Sequence, residues 1–95
     1  GVVMGLGYAF TEDFPMEGGY PTATYGKLGL WRATEAPPVE VHLIAKGTED
    51  QFAFGAKGIG EIATIPTAPA AAHACMRVDG KLRNRLPIED NPYRK

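Results

Sequence analysis

The sequence predicts a small α+β domain, a two-layer arrangement of about two helices and a few short strands. Two observations carry this. Apolar residues recur at helical spacing in the first fourteen residues, and an alanine-rich run follows Thr67. Between and after them lie two short stretches that alternate apolar and polar residues, the pattern of half-buried strands. With 95 residues there is room for one domain. A chain of this size buries roughly 60–65 % of its unfolded surface when it folds as a closed unit.

The first helix is expected over Gly1–Phe14, where Val2, Val3, Leu6, Ala9, Phe10 and Phe14 form the apolar stripe. Gly1, Gly5 and Gly7 lie in the same stretch, and each glycine costs a helix roughly 1 kcal/mol relative to alanine. Close approach of another backbone or a ligand offsets such a cost, and tight packing of the helix on a sheet is the expected form. Asp13–Tyr25 is turn-rich, with Pro15, Gly18, Gly19 and Pro21. Lys27–Thr34 is expected to be extended, and Trp31 and Tyr25 to be core or interface anchors.

Pro37 and Pro38 introduce a strand over Val39–Ala45: Val39, Val41, Leu43 and Ala45 share one face, Glu40, His42 and Ile44 the other. Lys46–Gln51 is a polar turn, and Phe52–Ile65 is punctuated by glycine without a regular period. The second helix starts with Thr67 as N-cap and Pro69 in the first turn, continues through Ala70, Ala71, Ala72 and Ala74, and ends at an Asp79–Gly80 turn. Lys81–Ile88 reads as a short edge strand, because Pro87 cannot donate to a ladder.

Charge excludes some functions. The formal net charge is −1, which does not suit a general polyanion binder such as a nucleic-acid-binding protein. From Met76 onward, however, Arg77, Lys81, Arg83, Arg85, Arg94 and Lys95 outnumber Asp79, Glu89 and Asp90. That imbalance suits either a solvated strand and terminus or a docking surface for an acidic partner. Cys75 is the single cysteine, so neither an internal disulfide nor a thiolate metal site can form. It reads as a small buried hydrophobe suited to a reducing, cytoplasmic setting. No apolar run approaches the roughly 18 residues that span a bilayer, so no membrane association is expected. The sequence opens inside an apolar pattern without an initiator Met, which suggests a piece of a longer protein.

The stretch most suggestive of chemistry is Phe54-Gly55-Ala56-Lys57-Gly58-Ile59-Gly60-Glu61. Its glycines allow positive φ, and successive N–H groups could then form an anion-binding concavity flanked by Lys57 and Glu61. A carboxylate on such a loop can approach a ligand closely, and partial burial would suit it to general-base work. The stretch is neither a dinucleotide fingerprint, lacking the third glycine, nor a P-loop, since no Ser or Thr follows Lys57. A small phosphate-binding module using Gly58 and Gly60 lacks the helix N-terminus that such sites use. His42 and His73 have no second ligand at metal spacing, and Glu12 and Asp13 read as a helix end and turn.

The order of these segments resembles the C-terminal part of the molybdopterin-binding large subunit of molybdenum hydroxylases, the xanthine dehydrogenase and aldehyde oxidase family. Gly1–Glu12 is similar to that family's glycine-rich helix, Pro37–Val41 to the strand after it, and Phe54–Glu61 to the segment carrying its glutamate. Ile65–Ala70 with the alanine-rich helix, and Leu86-Pro87-Ile88, resemble the segments that follow. On that resemblance residues 1–95 are the C-terminal segment of the molybdopterin-binding domain. It implies an oxidoreductase that hydroxylates a purine, N-heterocycle or aldehyde with water-derived oxygen. Glu61 would be the general base, with Gly58 and Gly60 bordering the molybdopterin-type molybdenum cofactor. Iron–sulfur clusters and FAD would sit on other domains or subunits, and the remainder of the molybdenum subunit would be the main partner. The isolated segment is then expected to be inactive and to self-associate or be marginally stable. The alternative is a non-catalytic subunit-interaction module with the same fold, using Arg83 and Arg85 as a patch.

Overall fold

The computed structural model describes residues 1–44 and 52–93. In chain order it contains helix α1 (Val2–Phe10), strands β1 (Met16–Glu17) and β2 (Tyr20–Pro21), short 3-10 turns at Tyr25–Lys27, Phe52–Gly55 and Ile62–Thr64, and helix α2 (Thr67–Asp79). Two helices and a two-stranded antiparallel sheet make this an α+β chain. The predicted polar turn at Lys46–Gln51 lies outside the described residues.

α1 stops four residues short of the predicted Phe14, because tertiary hydrogen bonds take over. The Asp13 amide donates to the Leu28 carbonyl at 3.0 Å, and the Thr11 hydroxyl donates to the Gly29 carbonyl at 2.7 Å. Phe14 is left exposed. The helix glycines do permit close approach, but to α2 and its lead-in rather than to a sheet. A Cβ on Gly5 would stand 2.5 Å from the Thr67 Cβ, and one on Gly1 2.8 Å from the Ala63 Cβ.

α2 follows the prediction closely at both ends. Gly80 caps it in the left-handed conformation (φ 74°), its amide donating to the Met76 carbonyl at 2.8 Å. At the start, Pro66 is the capping residue and Thr67 is already helical. The Thr67 hydroxyl instead donates to the Ala63 carbonyl at 2.7 Å. That bond ties the preceding 3-10 turn to α2.

The sheet is not where alternation placed it. β1 and β2 form a hairpin inside the predicted turn region, with Met16 opposite Pro21 and Glu17 opposite Tyr20. Gly18 and Gly19 form its two-residue loop at φ 54° and 86°, as tight hairpins require. Among the described residues Val39–Ile44 has no strand partner and carries no helix or turn. Lys81–Ile88 also forms no strand. The Lys81 amide bonds the Asp79 carboxylate at 2.9 Å, Leu86–Pro87 is cis, and the Ile88 amide donates to the Ala9 carbonyl at 2.7 Å. This segment is fastened to α1, not to a sheet edge. Lys27–Thr34 is only partly extended, since a 3-10 turn occupies Tyr25–Lys27 and a turn closes Arg32 onto Glu35.

The core lies where both helices meet the closing segment. Ala9, Phe10, Ala68 and Ile88 are its buried members, and Leu6, Trp31, Ala71, Ala72 and Cys75 pack against them. Cys75, expected to be buried, is only partly so and packs against this core from its edge. Trp31 anchors the edge by stacking on Phe10 (6.3 Å between ring centroids) and packing at a tilt against Tyr93 (5.4 Å). Tyr25, expected beside it, is exposed.

This core does not close the chain. The accessible surface is 7987 Å², against about 5,300 Å² for a compact monomer of this mass. Burial is therefore roughly 46 % of the unfolded surface, below the 60–65 % expected of a closed unit. The radius of gyration, 17.0 Å, likewise exceeds the roughly 12.4 Å of a compact chain of this length.

Gly29 tests the packing of the 28–31 segment on α1. Its φ is 83°, and an added Cβ would lie 2.2 Å from the Thr11 carbonyl oxygen. Gly29→Ala is expected to cost about 2 kcal/mol or more in urea denaturation. Gly26→Ala, whose Cβ would meet nothing within 4 Å, should change stability by no more than about 0.5 kcal/mol.

Candidate functional site

Glu61 stands at the junction between an exposed loop and an anchored turn. On its C-terminal side, its carbonyl accepts the Thr64 amide at 2.9 Å, closing the 3-10 turn Ile62–Thr64. That turn packs against α1, with Ala63 beside Gly1. On its N-terminal side, residues 56–60 are exposed and belong to no helix or strand. The glutamate is therefore positioned from one side only. Its side chain is exposed and has no hydrogen-bond or ion-pair partner among the described residues.

The backbone of this loop differs from the expectation. Left-handed φ occurs at Ala53 (56°), Phe54 (58°) and Gly55 (76°), whereas Gly58 and Gly60 do not adopt it. Of the three glycines expected to shape an anion-binding concavity, only Gly55 takes the positive φ invoked for it. Gly58 and Gly60 are nevertheless open, since an added Cβ would meet no atom within 4 Å at either. Around them stand large uncovered apolar side chains. Phe52 is 98 % exposed and Phe54 95 %, and Ile59, Ile62 and Ile65 are exposed as well. The two non-glycine residues in the left-handed region, Ala53 and Phe54, each cost of order 1 kcal/mol, and Phe54 presents its ring to solvent.

The described clefts lie elsewhere. One of about 360 Å³, between the end of α1 and residues 26–35, is lined by Thr11, Lys27, Trp31, Arg32 and Glu35 among others. Glu35 already accepts the Arg32 amide at 2.7 Å. A second, of about 280 Å³, is lined by Gly1, Val3, Met4, Gly7, Glu12, Leu30 and Trp31. Burial pushes the Glu12 carboxyl above its ordinary value, and its Oε2 would lie 3.3 Å from a Cβ on Gly7. Glu12 is thus a half-buried acid in a cleft, which its reading as a plain helix end did not reveal. The signal available was its place directly after a glycine-bearing helix, where a missing side chain leaves room for a carboxylate.

Other candidates resolve into structural roles. His42 pairs with Glu40 at 2.9 Å, and His73 is exposed on α2. Among the described residues no group of three or more His, Cys, Asp or Glu could hold a metal ion. No helix among them is long and apolar enough to cross a membrane.

Within the basic stretch, Lys81 and Arg83 are paired inside the chain. Arg83 bridges Asp79 and Asp90, contacting the latter at 3.1 Å, and Lys81 reaches Asp90 at 3.2 Å. The Arg83 side chain is only 10 % exposed, so it offers little to a partner, while Arg85 remains exposed. The patch expected of Arg83 and Arg85 together is not formed.

Comparison with known proteins adds no relative. No protein-family model matches the chain, and neither a curated protein nor a solved structure matches it.

The ion cluster makes a prediction about acid. Hydrogen bonds from the Arg83 guanidinium and the Lys81 amide hold the Asp79 carboxyl well below the usual carboxylate range. Lys81 and Arg83 likewise lower Asp90. A carboxyl depressed in the folded state stabilises it fully above the unfolded value, about 3.9. That contribution is lost as the pH falls through the folded value. Urea denaturation of wild type and Asp79→Asn from pH 7 to 2 should show a constant advantage for wild type above about pH 5, shrinking below about pH 4.

Proposed function

We propose that this chain is the C-terminal part of the molybdopterin-binding subunit of a cytoplasmic molybdenum hydroxylase of the xanthine dehydrogenase and aldehyde oxidase type. In this reading Glu61 is the general base. One observation carries it beyond the order of the motifs. Among the described residues the Glu61 side chain has no partner; it stands on a glycine loop open at Gly58 and Gly60, in a segment with exposed Phe52, Phe54, Ile59, Ile62 and Ile65. A carboxylate awaiting a substrate is left unpaired and is desolvated only when the rest of the site closes over it.

The residues present fit the cofactor only in part. Open backbone at Gly58 and Gly60 leaves room for close approach; among the described residues the clefts named above do not include Glu61, and in this reading other parts of the protein would supply the walls. When bound, such a cofactor supplies the redox chemistry. The contribution of this chain is to hold and move a proton at the Glu61 carboxylate and, with its apolar neighbours, to exclude water from it. Iron–sulfur and flavin components on other domains or subunits would carry the electrons onward, and a purine, N-heterocycle or aldehyde would be the substrate.

A non-catalytic interaction module would use the same uncovered surface and leave Glu61 exposed, as it is; the internal pairing of Arg83 leaves that reading with Arg85 rather than a patch of both arginines. Glu61→Gln in the complete polypeptide separates the two, because it keeps size and removes the base. Xanthine or aldehyde turnover should fall by about 100-fold or more with molybdenum content unchanged, while Glu89→Gln leaves it intact. Turnover indifferent to Glu61→Gln would exclude the base assignment.

A further inference from the structure

The segment Pro38–Ile44 has strand chemistry without a strand partner. It carries no helix, turn or bend, and residues 36–44 make no backbone hydrogen bond among the described residues. The Glu40 and His42 side chains touch at 2.9 Å. Residues two apart share a face in extended backbone but not in a helix, so the contact marks this stretch as extended. The other face carries Val39, Val41 and Leu43, with Val41 70 % and Leu43 81 % exposed. A run of unpaired N–H and C=O groups beside exposed apolar side chains is a template for another strand.

We propose that this segment pairs antiparallel with the same segment of a second copy, about a two-fold axis at Val41. The sequence is complementary to itself in that register. Val41 faces Val41, Val39 faces Leu43, and Glu40 faces His42 in both directions. Apolar side chains thus meet apolar ones, and each carboxylate meets an imidazole. The prolines fix the ladder. With Val41 as a hydrogen-bonded pair, Val39 and Leu43 are hydrogen-bonded pairs as well. Pro38 then falls at a non-bonded position, where its missing N–H is not needed. Pro37 would fall at a bonded one and ends the ladder. The Glu40–His42 pairs occupy non-bonded positions, where opposed Cα atoms are only about 4.5 Å apart and side chains meet most closely. The contact within each copy and the contacts between copies would then join two glutamates and two histidines in one cluster. None of this depends on Glu61 or on a cofactor.

Sedimentation equilibrium of this chain should show a reversible dimer. Glu40→Lys, which sets a cation against His42, should weaken it about tenfold or more, and adding His42→Glu should restore it. Both sites are exposed, so neither change disturbs the core. Cysteine pairing reads the register directly. Glu40→Cys and His42→Cys, each made with Cys75→Ser and mixed, should oxidise to a disulfide between copies, since opposed positions lie within disulfide range. Glu40→Cys alone should not, because diagonal positions are about 7–8 Å apart. A monomer at all concentrations, or a dimer indifferent to the charge exchange and without the mixed disulfide, would overturn the proposal.

Discussion

The fold hangs on the last turn of α1. A helix end leaves its final carbonyls without intrahelical partners. Here the Ala9 carbonyl accepts the Ile88 amide at 2.7 Å, and the Phe10 carbonyl accepts the Asn91 side-chain amide at 2.9 Å. Asn91 also donates to the Ile88 carbonyl. The closing segment thereby completes the helix, buries Ile88 to 1 % exposure, and brings Tyr93 against Phe10 and Trp31. The approach is possible because this end of α1 carries small residues, Ala9 above all, which is fully buried. At the other end Gly1 and Gly5 admit Ala63 and Thr67. A helix that glycine would weaken in isolation is held by what its glycines let in.

That arrangement orders both ends of α1 and leaves the middle of the sequence outside the core. Residues 37–44 and 52–62 are almost wholly exposed, and they hold much of the uncovered apolar surface. The large accessible area and long radius of gyration follow from this division. Glu61 sits at its boundary: the turn after it is fixed to α1, and the loop before it is not. Such a residue has a defined origin and an open front, which suits a group that acts on something another part of the protein presents.

Much of the helical structure was legible in the sequence, because helix periodicity and capping are local. The alanine run and Gly80 gave α2 nearly to the residue, and the Val2–Phe10 stripe gave α1. Its early end was not local information, since it depends on bonds to Leu28 and Gly29. Strands failed for a related reason. Alternation at 39–45 and 81–88 describes two faces, but a ladder needs a partner, and none is present among the described residues for either segment. The actual hairpin was signalled by Gly18-Gly19, a two-residue loop composition that the surrounding prolines obscured. At the candidate site, glycine content located the loop but not the conformation. The left-handed residues are Ala53, Phe54 and Gly55, two of which no composition rule would select. The position of Glu61 was readable, whereas the half-buried state of Glu12 and the internal pairing of Arg83 were not. Both depend on which residues the fold brings together.

The most direct test of this account is metal and pterin analysis of the native full-length polypeptide that contains this segment. The account predicts molybdenum and a molybdopterin-type pterin in amounts stoichiometric with the protein, retained through purification. A polypeptide purified intact with neither would contradict it, and the uncovered surface around Glu61 would then belong to a protein that works through its partners.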